Sequence, residues 1–288
     1  MRRRPFSAIT FLGWTRYLSF YTIAATSLFV LVAALLALWL YIALSRSRLT
    51  PFQCLLWAIA YLLCKLLWRT RWIGTFDLPP DQGAVIVCNH RSSVDPFFIQ
   101  TATGRKIHWM VAREFCEHPA FGWFLSACEV IPVGRGGADT AALKSAMRIV
   151  AAGGLVGMLP EGRINMTPAL LLPARPGAAL VALKSAPRFV PCYIRGAPYR
   201  RHAWSPFLMS ASVEVRIGQP ISLEEFQKTE SRPNDVPAAL QKMLKAIAAL
   251  AGEPDFVPQL AGRVWKPTPA ELETAMAEAD KLRQNTRQ

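Results

Sequence analysis

This chain of 288 residues is 52% hydrophobic with a mean hydropathy of +0.22, which is high for a soluble protein and excludes a disordered or purely polar chain. Its formal net charge of +14 suits an anionic partner, and the apolar excess favours a membrane surface over nucleic acid, for which no binding motif is visible. The six cysteines form no C-x-x-C pair and have no histidine at zinc-ligand spacing, so we interpret them as small apolar residues in a reducing compartment and expect no metal.

The first 70 residues are predicted to hold the protein at a membrane. Residues 1–16 carry four arginines and no acid, and residues 17–45 carry no charge at all. Within them, residues 28–44 are long enough to cross a hydrocarbon core of about 30 Å. A cleaved signal peptide is the alternative, but no convincing cleavage site precedes Arg46. A second apolar stretch, 51–68, suits either a short span or a helix lying in the interface.

After residue 73 short apolar runs alternate with mixed stretches, which is typical of an α/β domain. The runs predict strands at 84–88, 107–111, 129–133, 155–159, 189–194 and 212–217. Helices are predicted at 96–103, 119–127, 140–152, 177–185, 237–251 and 269–282. Pro191 suggests that its strand lies at a sheet edge or a bulge.

The fold class expected from these elements is α/β. A layered mixed sheet flanked by helices would occupy residues 71–222. A basic arm and a membrane-anchoring helical pair would precede it in residues 1–70, and a helical extension would follow in residues 223–288.

His90 and Asp95 are the first candidate site residues. His90 follows the apolar run 84–88, and Asp95 precedes Pro96 as the expected N-cap of a helix. On one ideal helix the two side chains would point about 140° apart, so they meet only if the chain turns between them. A strand–turn–helix supplies that turn, and a neutral histidine held by a carboxylate is a general base for a hydroxyl. The bland alternative is a helix cap beside an ordinary histidine.

Two further stretches at strand ends could bind an anion. In Gly134-Arg135-Gly136-Gly137 the glycines let backbone N–H groups approach a phosphate, which Arg135 would contact. In Pro160-Glu161-Gly162-Arg163, Glu161 would accept hydrogen bonds from substrate hydroxyls and Arg163 would hold a phosphate. Each stretch is also compatible with an ordinary surface turn. Asn165-Met166-Thr167 fits the N-glycosylation pattern, but Pro168 and the neighbouring site favour a chance match.

Together the motifs resemble the four blocks of the glycerolipid acyltransferase family, in order, over roughly residues 70–220. The His-x4-Asp block matches residues 89–95, and the block ending in a phosphate-binding arginine matches 130–135. The Pro-Glu-Gly block matches 159–163, and the Val-Pro block matches 190–193. Arg163 follows Gly162 directly, where the family often has a threonine between them, and this form resembles acyltransferases that act on other lysophospholipids. Arg175 resembles a further basic element of the family.

The resemblance implies that an acyl group passes from acyl-CoA or acyl carrier protein to the hydroxyl of a lysophospholipid, foremost 1-acylglycerol 3-phosphate. His90 would be the base and Asp95 would orient it, while Arg135, Glu161, Gly162 and Arg163 would bind the acceptor. No cofactor is expected beyond the acyl donor, and no Gly-x-Ser-x-Gly nucleophile motif occurs. The enzyme would work at a membrane with its catalytic domain facing the cytoplasm. The alternatives are another acceptor, such as glycerol 3-phosphate or an ornithine-type lipid, or a non-catalytic lipid-binding protein.

Overall fold

The computed structural model describes residues 21–32, 34, 49–134, 139–200, 202–227 and 235–261. The chain divides into two compact units, Met1–Arg48 and Leu49–Gln288. Residues 21–32 of the first unit are helical with exposed side chains. Within the described ranges no helix combines the length and the apolar character needed to cross a membrane. The predicted span 28–44 lies mostly outside those ranges, as does the predicted helix 269–282, and the domain boundaries at 70 and 222 stay predictions.

An eight-stranded sheet is the centre of the second unit. Its strands are β1 (Arg71–Ile73), β2 (Ala84–Cys88), β3 (Ile107–Ala112), β4 (Ile131–Val133), β5 (Leu155–Met158), β6 (Arg188–Arg195), β7 (Glu214–Ile217) and β8 (Ile221–Ser222). The spatial order is β1-β7-β6-β2-β5-β3-β4, and β8 lies beside β6. Neighbours are parallel except where β6 pairs with β7 and β8. The mixed α/β sheet predicted from the sequence is confirmed.

Helices cover both faces of this sheet. They are α1 (Pro51–Leu62), α2 (Asp95–Gln100), α3 (Arg113–Cys116), α4 (Gly122–Ala127), α5 (Thr140–Ala151), α6 (Gly177–Ser185) and α7 (Val236–Ala251). A π-helical turn, Leu63–Leu67, continues α1, and 3₁₀ turns occupy Ser205–Leu208 and Glu224–Phe226. Every residue of β2 is buried, as expected of a strand covered on both faces. Val85 and Val87 pack with α5, α6 and α7, whereas Ile86 packs on the face of Trp68 and Phe98.

Three predictions about the strands were wrong. The strand predicted from residue 212 begins at Glu214. The strand predicted from residue 129 begins at Ile131, because Glu129 has φ +52°, a left-handed conformation that a strand cannot contain. Pro191 lies in an interior strand, β6, and not at an edge. Its carbonyl accepts a hydrogen bond from Gly218, at the bend between β7 and β8. In an extended strand the N–H and C=O of a residue face the same side, so the position of the missing N–H of Pro191 faces the bend at Gly218 and the bonds of β6 to β2 do not need it.

Candidate active site

The connection between β2 and α2 brings His90 and Asp95 together. His90 Nδ1 lies 2.9 Å from Asp95 Oδ2. Asp95 is the first residue of α2 and Val94 is its N-cap, so the predicted capping role of Asp95 was wrong. Its carboxylate instead turns back toward the preceding loop, where Oδ2 also accepts the backbone N–H of Arg91 at 2.6 Å and of Ser92 at 2.8 Å. The turn therefore forms around this one carboxylate oxygen.

The hydrogen bond to the buried Asp95 carboxylate sets the tautomer of His90. The side chain of Asp95 is fully buried, whereas that of His90 is 16% exposed. A carboxylate only accepts hydrogen bonds, so the proton of a neutral His90 is on Nδ1 and the lone pair is on Nε2. Asp95 Oδ1 is also buried and has no hydrogen-bond partner in the part of the chain that the structure describes. The arrangement gives a histidine whose Nε2 can accept a proton.

Glu161 lies behind His90 because β5 is the parallel neighbour of β2, so both residues follow strand ends at the same sheet edge. Its Oε1 accepts the backbone N–H of His90 at 2.7 Å, and its Oε2 accepts that of Leu172 at 2.8 Å. The residue is 2% exposed, and this burial raises the pKa of Glu161 to about 7 although both N–H donors lower it. Both oxygens accept backbone N–H groups, so the geometry supports a positioning role for Glu161, and its contact with substrate hydroxyls stays a prediction.

Gly162 and two arginines surround the turn that follows β5. Gly162 has φ +67°, a conformation that favours glycine, and its N–H donates to the Leu159 carbonyl at 2.9 Å. The Arg175 side chain crosses this glycine, since a Cβ atom there would lie 3.5 Å from its Cδ and Nε. Arg163 follows directly and is half-buried. Two guanidinium-bearing residues therefore flank the turn that carries Glu161.

Arg135, predicted to bind phosphate, lies outside the described residues. The strand before it, β4, is joined to β2 through a parallel series of neighbours, β3 and β5. The carboxyl end of β4 is therefore at the same sheet edge as His90. Gly134 N–H donates to Asp139 Oδ2 at 2.9 Å, and the same carboxylate caps α5 through Ala142 N–H. With Arg113 beside it, these contacts hold the pKa of Asp139 below its usual range.

Arg91 and Asn165 join the turn after β2 to the loop after β5, and the sequence pattern did not single them out for this role. The Arg91 guanidinium donates to the carbonyls of Thr167 and Ala169, each at 2.7 Å. Asn165 N–H donates to the His90 carbonyl at 2.7 Å, and its side chain bonds Ala169 and Thr167 within its own loop. Asn165 is 2% exposed, which agrees with a chance glycosylation match. The sequence signal that could have identified Arg91 as part of the site was its position inside the His-x4-Asp block.

Asn89 connects the site to β6. Its Oδ1 accepts the Ile194 N–H at 2.8 Å and its Nδ2 donates to the Ile194 carbonyl at 2.9 Å. Both hydrogen bonds are buried, and they join the residue that follows β2 to the neighbouring strand β6. The backbone on each side of His90 is thus fixed, by Asn89 before it and by Asp95 after it.

Comparisons with known proteins show which proteins this chain is similar to. Residues 69–195 match the acyltransferase family model. The chain is 24% identical over 157 residues to 1-acyl-sn-glycerol-3-phosphate acyltransferase of Bacillus subtilis, covering 54% of this chain and 75% of that protein. It is 24% identical over 175 residues to the Streptococcus pneumoniae protein of the same name, covering 58% and 62%.

The fold is similar to the crystal structure of the 1-acyl-sn-glycerophosphate acyltransferase from Thermotoga maritima. The TM-score is 0.53 at 18% sequence identity, and the match covers 81% of this chain and 94% of that one. Residues 69–195 thus match an acyltransferase domain, the two curated relatives support a glycerolipid O-acyltransferase, and the shared fold agrees with that assignment.

Proposed function

We propose that this enzyme transfers a fatty acyl group from an acyl thioester to the free hydroxyl of 1-acylglycerol 3-phosphate, giving phosphatidic acid. The hydrogen bond of 2.9 Å between His90 Nδ1 and the buried Asp95 carboxylate is the observation that carries the proposal. The names of the two curated relatives support this acceptor. The donor is acyl-CoA or acyl carrier protein, and no further cofactor takes part.

His90 Nε2 takes the proton of the acceptor hydroxyl as its oxygen attacks the thioester carbonyl. Asp95 holds the Nδ1–H bond and stabilises the imidazolium that forms. The tetrahedral intermediate then expels the thiolate, which takes the proton back from the imidazolium and leaves as a thiol. A carbon–oxygen bond forms, a carbon–sulfur bond breaks, and no acyl-enzyme is required. General-base help of this kind contributes about 10²–10⁴-fold.

The acceptor phosphate would be held by arginines at the same sheet edge. Arg163 and Arg175 flank the turn after β5, and Arg135 follows β4 in sequence. A guanidinium binds a phosphate through two parallel hydrogen bonds, which fixes both its position and its orientation. Glu161 and Arg91 have an indirect, positioning role, because they hold the backbone that carries His90.

The enzyme would work at a membrane, with its catalytic domain facing the cytoplasm. A stripe of apolar side chains at helical spacing is exposed along α1 and the turn after it: Phe52, Leu55, Ile59, Leu62 and Leu66. Such a stripe suits a helix lying in the interfacial region, where lysolipid and acyl chain both reside. The net charge of +14 would attract anionic headgroups.

Acyl transfer in mixed micelles tests the function. The full chain would be supplied with long-chain acyl-CoA, or with acyl carrier protein as the donor carrier, and with a panel of lysophospholipids and glycerol 3-phosphate. We expect thiol release and diacyl product with 1-acylglycerol 3-phosphate, and a loss of about 10²–10⁴-fold in kcat for His90→Ala. His118 is exposed and contacts Ala120 and Phe121, neither of which belongs to the His90 turn, so His118→Ala is the matched control.

Two other outcomes would change the proposal. Transfer to a different headgroup, still dependent on His90, would overturn the acceptor but keep the reaction. Equal background from wild type and His90→Ala with every acceptor and both donors would overturn the catalytic assignment.

A further inference from the structure

The segment after β6 exposes large apolar side chains close to the candidate active site. Trp204 is 52% exposed, Phe207 38% and Leu208 76%. Folded proteins leave single apolar residues exposed without consequence, but a contiguous group marks an interaction surface. We call residues 202–208 the Trp204 loop.

Buried residues and hydrogen bonds hold the Trp204 loop in place. Ser205 and Pro206 are buried, and the Trp68 indole N–H donates to the Pro206 carbonyl at 3.1 Å. Ser205 Oγ accepts the Arg200 N–H at 2.8 Å and donates to the His202 carbonyl at 2.7 Å. The exposed side chains are therefore held at the surface by an ordered turn.

The exposed surface continues onto α4 through a row of aromatic rings. Phe207 contacts Phe97 with ring centroids 6.0 Å apart, and Phe97 contacts Phe124 at 5.7 Å. Beside Phe124, Trp123 is 60% exposed. We define the docking surface as Trp123, Trp204, Phe207 and Leu208.

This surface is joined directly to the turn that carries His90. Ser92 Oγ donates to the Pro198 carbonyl at 2.5 Å, and Ser93 Oγ donates to the Ala203 carbonyl at 2.6 Å. Both serines lie between His90 and Asp95. The serine hydroxyls of the catalytic turn are thus used to hold the segment that bears the exposed aromatic residues.

The composition of the segment that bears three of the four docking residues favours an anionic partner. Residues 196–213 contain Arg200, Arg201 and His202 and no acid, whereas residues 113–124 before and around Trp123 contain Arg113, Glu114 and Glu117. Tryptophan with neighbouring cations is the composition found where proteins meet the interface of an anionic membrane. We propose that the docking surface inserts into an anionic lipid bilayer and so presents the His90 turn to the membrane that supplies the lysolipid. This inference rests on the proposed function for its purpose, but the first of its two tests, fluorescence quenching, does not depend on activity.

Quenching of tryptophan fluorescence by brominated lipid tests the contact. The full chain would be mixed with vesicles of equimolar phosphatidylcholine and phosphatidylglycerol with brominated acyl chains. The protein has nine tryptophans, so the signal of one is the difference between wild type and Trp204→Phe. We expect wild type to lose more fluorescence than Trp204→Phe. Equal quenching would overturn the proposal, since a surface covered by another part of the chain or by a second copy gives that result.

A kinetic comparison separates docking from a structural role. Leu208→Asp should raise KM about tenfold or more for an acceptor embedded in vesicles, because it places a charge where the proposal inserts an exposed apolar side chain into lipid. It should leave kcat and KM unchanged for a short-chain acceptor dissolved as monomers. Val257, 79% exposed beyond α7, supplies the control Val257→Asp, which should change neither. An equal loss by Leu208→Asp on both acceptors would show that the loop supports the site only from within, and would overturn docking.

Discussion

Asp95 receives three hydrogen bonds on one carboxylate oxygen, from one ring nitrogen and two backbone N–H groups. Glu161 receives two, both from backbone. The two acids both bond to His90 and differ in what they hold: Asp95 orients the imidazole, and Glu161 fixes the backbone from which it extends. Since removal of a partner from a buried polar group leaves that group unsatisfied, each acid should matter beyond its own bond energy.

Glu161→Gln should remove one pH-dependent contribution to stability. Burial raises the pKa of Glu161 from 4.5 to about 7, so between those pH values the folded protein keeps a proton that the unfolded chain releases. The free energy of unfolding therefore falls as pH rises through this window, by at most about 1.4 kcal/mol per pH unit, and levels off above it. Glutamine does not titrate. The difference between wild type and variant should follow this fall.

Urea unfolding of both proteins from pH 4.5 to pH 8 measures that difference. The amide also turns an N–H₂ group toward a backbone donor, which costs about 1–3 kcal/mol independently of pH. A constant difference across the range would mean that Glu161 ionises alike in the folded and unfolded states.

At the scale of elements, the pairing of β3 with β5 depends on a missing side chain. Gly157 pairs with Trp109 across the two strands, and the buried Trp109 ring covers it. A Cβ atom on Gly157 would lie 2.4 Å from that ring, closer than any real contact. Because β5 leads into the turn of Glu161, the packing of this strand also supports the site.

Gly157→Ala should destabilise the protein by about 1–3 kcal/mol, the usual cost of overpacking a filled core. Chemical unfolding measures it, with Gly104→Ala as the control because a Cβ atom there meets nothing within 4 Å. Replacing Trp109 by leucine should recover part of the loss in the Gly157→Ala background. Equal stability of the two glycine variants would mean that the ring moves aside without cost.

At the scale of the whole molecule, the net charge and the free thiols are the two features that no single element explains. The net charge of +14 acts beyond single contacts and attracts anions toward the protein surface. All six cysteines are free: Cys54, Cys64, Cys88, Cys116, Cys128 and Cys192. Disulfides thus contribute nothing to the stability of the fold, which rests on the two cores that cover the sheet.

Thiol alkylation should distinguish two classes of cysteine in the native protein. Cys116 and Cys128 are partly exposed, and the other four are buried. Burial raises the pKa of Cys128 to about 11 and of Cys116 above its usual value, so even these should react slowly near neutral pH. Mass spectrometry after iodoacetamide should find label at these two alone, and at all six in denaturant. Rapid labelling of Cys88 in the folded protein, or a mass lower by one disulfide, would contradict the structure.

The sequence by itself determined the class of fold and the pairing of His90 with Asp95. A short run of apolar residues marks a buried strand, because only a strand covered on both faces tolerates apolar side chains at every position. The strand β2 and the helix α6 were both predicted with the bounds that the structure shows. A histidine and an aspartate five residues apart can meet only across a turn, so the strand before them and the proline after them were sufficient.

Only the tertiary structure decided what surrounds that pair. β1 has three residues and forms because β7 is beside it, so no local pattern could predict it. The roles of Glu161, Arg91 and Asn165 depend on the order of strands in the sheet, which brings loops some 70 residues apart in the chain into hydrogen-bond contact. Hydrophobic periodicity records which face of a strand is buried but not which strand becomes its neighbour. The hydrogen-bond partners of buried Glu161 lie in the loops beside its strand, so they depend on which strands are neighbours in the sheet and therefore on the whole fold.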